Sequence, residues 1–174
     1  MKREFFLTKN VQEFVAKYAN WNDVKSLSLT FDIDWAPDFM IEEVINILDK
    51  YSIKATFYAT HHSKLLEELK SSIDFEVGIH PYLGVNSTQG ENKLQILTNL
   101  NSIYNEAIGC RFHVLDFSYR DLLNLKNFKI KYDVSRINFN TPYLLPTYHK
   151  DLDLVLFTYS WEDGVSENQN LNQN

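Results

Sequence analysis

Two hydrophobic periods take turns along the chain. Residues 26–34, SLSLTFDID, set β-branched and aromatic residues at alternate positions before a polar exit, which predicts a strand. The following WAPDFMIEEVINILDKY repeats Ile41, Val44, Ile45 and Leu48 at helical spacing. Pro37 suits its first turn, and Asp38, Glu42 and Glu43 favour the positive N-terminal end. The alternation continues. Ile53 to Thr60 reads as a strand, followed by the helical SKLLEELKS with Ser63 as its cap. Phe75 to His80 reads as a third strand, and beyond the turn-rich PYLGVNSTQG comes the helical ENKLQILTNLNSIYNEA. Cys110 to Leu115 is a fourth strand leading into DFSYRDLLNLKN, with shorter strands expected over Lys131–Ser135 and Leu154–Tyr159. The N-terminal EFVAKYANW reads as a helix placed to cover an open end of the fold. The tail SENQNLNQN has almost no apolar content and reads as disordered, which gives a single domain over 1–165 and a polar tail over 166–174.

Strand and helix in alternation predict an α/β layout with a parallel sheet or barrel, because parallel strands need crossover connections. Ligands in such folds sit at the carboxyl ends of the strands. Those ends carry Asp32 and Asp34, then His61 and His62, then His80, then Arg111 and His113, so four of the five histidines fall on one edge.

Composition narrows the chemistry. A chain of 174 residues, 44% of them hydrophobic, is one core-forming domain. Its single cysteine, Cys110, excludes an internal disulfide and any multi-cysteine zinc site, so a bound metal must be held by His and carboxylates. A net charge of -6 argues against nucleic acid as a partner. No apolar run approaches the roughly 20 residues of a membrane span, and MKREFFLTKN lacks a secretory cleavage site. A cytoplasmic location is expected.

Asp32 and Asp34 are two apart on the predicted strand and therefore share a face. Adjacent anions raise each other's pKa unless a cation compensates, and a metal is the natural one. The alternative is a solvated pair at a strand-to-helix turn, with Asp34 or Asp38 capping the helix. His80 precedes Pro81, a setting that also suits a structural turn residue. One carboxylate and two imidazoles on converging strand ends, however, form a facial set typical of catalytic zinc.

The segments LTFDID, IKATFYATHH, FEVGIHP, GCRFHVL and YSWEDGV, in that order, resemble the polysaccharide deacetylase (NodB-homology) family and specifically its divergent WbmS-like branch. The resemblance runs from about Leu27 to Val165. It implies a distorted, incomplete (β/α) barrel, one divalent metal, Zn²⁺ first among the choices, and hydrolysis of N-acetyl groups on a sugar or polysaccharide precursor in surface-polysaccharide or O-antigen synthesis. Asp32 matches the base of the first motif. The family's metal-binding Asp normally follows at once, but Ile33 stands there, so the ligand is assigned to Asp34. His80 matches the first His of the second motif, while Gly84 occupies the position of the second. His113 is the leading third ligand and His61 the runner-up. Arg111 matches the Arg that orients the base, and whichever of His61 and His113 is not on the metal is the acid for the leaving amine. A backbone N–H near Tyr82 is a candidate oxyanion donor. Tyr82, Trp35 and Trp161, the last beside Glu162 and Asp163, are candidate sugar contacts. The chain passes into its polar tail where a family barrel would continue, which predicts exposed strand edges that pairing of two copies would cover. The competing readings are a catalytically inactive deacetylase-like binding domain, which the absent second His favours, and an Asp-x-Asp phosphatase or phosphotransferase.

Overall fold

The computed structural model describes residues 4–5, 7–10, 26–139 and 146–163. The expected N-terminal helix and the tail from 166 lie outside the described residues. The strands are β1 (Glu4–Phe5), β2 (Ser26–Leu27), β3 (Leu29–Asp32), β4 (Ala55–Ala59), β5 (Phe75–Ile79), β6 (Gly109–Cys110), β7 (Tyr132–Ile137), β8 (Thr147–His149) and β9 (Leu154–Tyr159). The α-helices are α1 (Asp38–Lys50), α2 (Lys64–Glu68), α3 (Lys93–Ile103) and α4 (Tyr119–Asn124).

β1 and β2 make a small parallel pair, and seven strands form one sheet in the order β3, β4, β5, β6, β7, β9, β8. Every ladder of that sheet is parallel except the last, where β8 runs antiparallel to β9. From β3 to β7 each strand lies beside its predecessor, so every crossover steps the same way. Right-handed crossovers then put the helices on one face, which is the winding of a (β/α) barrel. Among the described residues no ladder joins β3 to β8, so the sheet is open, in line with the expected incomplete barrel.

Alternation along the strands separates two environments. Phe57 of β4, Val77 and Ile79 of β5 and Leu156 of β9 pack against Ile41, Ile45 and Leu48 of α1, Leu66 of α2 and Leu97 of α3 in the main core. Burying each of these side chains contributes roughly 1.5–3 kcal/mol. The opposite parity carries Tyr58, Tyr132 and Val134, a second apolar cluster on the concave face. That face also holds polar groups. Buried Glu76 accepts from the Thr56 hydroxyl at 3.0 Å, the Tyr132 hydroxyl at 2.7 Å and the Lys9 N–H at 3.3 Å. Burial pushes its carboxyl above the usual range, and these hydrogen bonds pull the other way.

Ser63 caps α2 as expected, its hydroxyl oxygen accepting from the Leu66 N–H at 3.1 Å. The N-cap of α1 is Pro37, which makes no side-chain cap bond, so neither Asp34 nor Asp38 caps that helix. Asp38 instead accepts from the Ser63 hydroxyl at 2.6 Å.

Two strands are shorter than the pattern predicts. The one expected over 26–34 breaks at Ser28 and ends at Asp32, and the one expected over Cys110–Leu115 ends at Cys110, with His113–Leu115 forming a 3-10 turn. Shared strand faces therefore do not account for how Asp34 meets Asp32, or His113 meets Arg111.

Candidate active site and metal centre

Two turns of the same unusual kind do this instead. After β3 the chain reverses through Asp34 (φ 37) and Trp35 (φ 63), closed by the Ala36 N–H on the Ile33 carbonyl at 2.6 Å. After β6 it reverses through Val114 (φ 49) and Leu115 (φ 54), closed by the Asp116 N–H on the His113 carbonyl at 3.2 Å. Left-handed backbone costs a residue with a Cβ about 1–2 kcal/mol, and consecutive pairs persist only when surrounding contacts hold them. Those contacts are visible. The Trp35 N–H donates to Thr60 Oγ1 at 3.0 Å, and the His113 N–H donates to the Pro81 carbonyl at 3.0 Å, carrying the β5–β6 pairing past its last ladder residue.

The result is a triangle of ligand-type atoms. Asp34 Oδ1 lies 3.3 Å from His80 Nε2 and 3.0 Å from His113 Nδ1, and the two ring nitrogens are 3.2 Å apart. His80 Nδ1 sits 2.6 Å from the Arg111 carbonyl, which can only accept, so Nδ1 carries a proton and Nε2 is the nitrogen turned toward Asp34 and His113. Three ligand-type atoms thus face one point, where a single cation would meet all three. Their spacing is close to the edge of roughly 3.3 Å expected for tetrahedral ligation at about 2.0–2.1 Å. The donor set therefore fits a divalent metal of the zinc type. The hydrogen bond from His80 is the main cause holding the Asp34 carboxyl below its usual range, against partial burial, and His113 adds to it.

Asp32 stands beside this triangle, its Oδ2 3.9 Å from His80 Nε2. Its other oxygen is held by Arg111, which donates from one terminal nitrogen to Asp32 Oδ1 at 3.0 Å, from the other to Thr30 Oγ1 at 2.8 Å, and from Nε to the Val134 carbonyl at 3.1 Å. The guanidinium lies between the rings of Tyr58 and Tyr159, 4.8 and 4.6 Å from their centroids. Burial works against its charge, but Asp32 and the two tyrosines outweigh that and raise its pKa. Burial likewise pushes Tyr159 up to about 12.

Trp35 and Tyr82 frame the opening. Their rings lie edge-on to His113 at 5.3 and 5.2 Å, and Trp35 is 38% exposed. Tyr82 also explains Gly84. A Cβ at position 84 would come within 2.5 Å of the Tyr82 ring, so the ring occupies the space a His side chain there would start from. The Tyr82 N–H is taken by Gln89 Oε1 at 2.6 Å, so that backbone donor is not open to an oxyanion. Gln89, which the sequence did not mark, also donates to the carbonyls of Thr60 and His80 at 2.8 and 3.0 Å, tying the ends of β4 and β5 together.

The remaining expected residues are not among the three clustered ligand groups. The His61 Nδ1 is 3.0 Å from Thr60 Oγ1, and desolvation lowers its pKa; it is not part of the ligand triangle. His62 faces Glu67 at 3.4 Å, and Trp161 is 63% exposed. Tyr58 and Tyr159 are not among the expected site residues, although both have the concave-face parity of Asp32 and His80, a signal readable from IKATFYAT and LVLFTY.

Residues 29–174 match the family described as WbmS-like polysaccharide deacetylase. A protein of Bordetella bronchiseptica described as a polysaccharide deacetylase involved in O-antigen biosynthesis, WbmS, has the same fold with a TM-score of 0.83 and 26% identity, over 98% of this chain and 71% of that one. A described polysaccharide deacetylase from Mycobacterium smegmatis aligns with a TM-score of 0.50 and 17% identity over 77% of this chain and 58% of that one, a likeness of fold alone. No curated protein matches the chain. The fold is thus of the polysaccharide deacetylase type. The chain belongs to the WbmS-like polysaccharide deacetylase family.

Proposed function

We propose that this chain is a metal-dependent amidohydrolase that removes N-acetyl groups from a sugar or polysaccharide precursor, in O-antigen or related surface-polysaccharide synthesis. One observation carries the reading: the Asp34–His80–His113 triangle with Asp32 beside it and Arg111 behind Asp32. The absent second-motif His, which favoured an inactive binding domain, loses its force because His113 completes a three-residue ligand set.

Bound by these three residues, a divalent metal supplies Lewis acidity to the amide carbonyl and acidifies water. Asp32 works as the general base. Arg111 engages Oδ1 and leaves Oδ2 toward the cluster, so the carboxylate is aimed. The water oxygen bonds to the carbonyl carbon as Asp32 takes its proton. The C–N bond then breaks as a protonated imidazole gives its proton to the amine nitrogen, the acetic acid formed ionises to acetate, and the proton on Asp32 recharges the imidazole. His113 belongs to the ligand set in this scheme, which leaves His61, bonded to Thr60 through Nδ1 only, as the acid for the leaving amine. Trp35 and Tyr82 offer ring edges and faces on which the apolar side of a pyranose stacks.

The test is acetate release from N-acetylated amino sugars by the Zn²⁺- or Co²⁺-loaded chain. Asp32→Asn is expected to lower the rate at least 10³-fold while the metal stays bound. Undiminished turnover in that variant, or Mg²⁺-dependent phosphate release from a phosphomonoester in its place, contradicts the reading.

A further inference from the structure

Buried Asp133 and Ser135 on β7 touch none of the reacting groups, yet they are joined to the metal centre. Ser135 Oγ donates to Asp133 Oδ2 at 2.7 Å and accepts from the Phe112 N–H at 2.8 Å. That N–H belongs to the same peptide unit as the Arg111 carbonyl, which accepts from His80 Nδ1 at 2.6 Å. Every donor in the series therefore points the same way: His80 Nδ1–H to the peptide oxygen, the peptide N–H to Ser135, the Ser135 hydroxyl to Asp133. A second bond, from the Ser135 N–H to Asp133 Oδ1 at 3.1 Å, orients the carboxylate. Asp133 is 0% exposed, Ser135 2%, Phe112 0% and His80 2%, so water does not interrupt the path.

We propose that Asp133, Ser135 and the Arg111–Phe112 peptide group form a hydrogen-bonded relay that orients His80 and raises the basicity of its Nε2 as a metal ligand; this rests on the metal-centre reading above. Aligned hydrogen bonds in a dry interior polarise one another, and a carboxylate at the accepting end draws each proton toward it. Carboxylates commonly act on metal-bound histidines by direct contact. Here the carboxylate acts through a hydroxyl and a peptide bond, because the segment after β6 lies between β7 and His80. Asp133 and Ser135 are positioning residues, not catalytic ones.

The test reads the imidazole directly. In metal-free protein with ¹⁵N-labelled histidine, the His80 Nδ1–H proton is expected far downfield and slow to exchange. Ser135→Ala and the near-isosteric Asp133→Asn should each move it upfield and speed its exchange, and each should weaken Co²⁺ binding about 10-fold, the low end of outer-shell effects. Leu100→Ala, a core substitution on α3, should cost thermal stability and leave both readouts unchanged. If Ser135→Ala does not fold, Asp133→Asn carries the test. An unmoved His80 resonance in the folded variants, or an equal loss of Co²⁺ affinity in Leu100→Ala, overturns the relay. A wild-type chain that binds no Co²⁺ overturns the metal-centre reading instead, and the resonance still decides the relay.

Discussion

Val114 holds a conformation that a β-branched residue rarely adopts, at φ 49 and ψ 19, with its side chain 67% exposed. The strain brings no packing in return, and its effect is local: it turns the chain directly after His113. Val114→Gly removes a Cβ clash worth about 1–2 kcal/mol and adds backbone entropy of about 0.5–1 kcal/mol to the unfolded state. Stability should rise by about 0.5–1 kcal/mol, read from urea unfolding; a loss of stability would show that the turn is unstrained. The same strain explains what the residues could and could not reveal. Asp32, Asp34, His80, Arg111 and His113 stand out by type and by position at strand ends, and the structure brings them together. The turns that aim Asp34 and His113 contain no Gly or Asn, and of their four left-handed residues only Asp34 is of a type that tolerates this backbone, so DIDWA signals it weakly and HVLD does not. Gln89 and Ser135 act through backbone groups, and no residue pattern marks such a role.

Whole elements were readable where period and caps agreed. Helix α1 has its apolar stripe and proline start, α2 has its serine cap, and β4 and β5 are buried along their full length. The segment after Cys110 misled because Phe112, Val114 and Leu115 have strand-like composition while the ladder partners of β7 end at Asp133. Side chains from β7 replace the missing ladder, and Asp133 is where that becomes costly. Burial pushes its carboxyl from the ordinary 3.8 up to about 6, against hydrogen bonds from Ser135 and the charges of Arg136 and Arg111. Cys110 on β6 faces it too, and its thiol is raised by burial and by Asp133 itself. The folded chain thus holds this proton more tightly than the unfolded chain does. The resulting stabilisation is complete below the unfolded value and is lost as pH rises through about 6, a difference of up to about 3 kcal/mol at about 1.36 kcal/mol per pH unit. Asp133→Asn abolishes that term. The stability of the variant relative to wild type should therefore climb between pH 4 and 7 in urea titrations, and parallel curves would refute the assignment.

At the scale of the molecule, a sequentially wound sheet gathers carboxyl strand ends on one rim. β3 contributes Asp32, β5 leads into His80, β6 leads into Arg111 and His113, and β9 ends at Tyr159. Among the described residues no helix is long and apolar enough to cross a membrane. β3 is an edge strand of the open sheet, yet its ladder to β4 runs through Asp32, so an incomplete barrel still assembles the ligand set. Barrel winding was legible because alternation alone implies it, whereas β8 was not, being three residues of an antiparallel addition with no period to detect. The central claim is that Asp34, His80 and His113 hold one divalent metal. Elemental analysis of the chain purified without chelator and loaded with Zn²⁺, beside His113→Ala treated identically, tests it most directly. One metal per wild-type chain and a loss of at least tenfold in affinity for the variant are predicted. A wild-type chain without metal after loading, or a His113→Ala chain that binds as tightly as wild type, would contradict it.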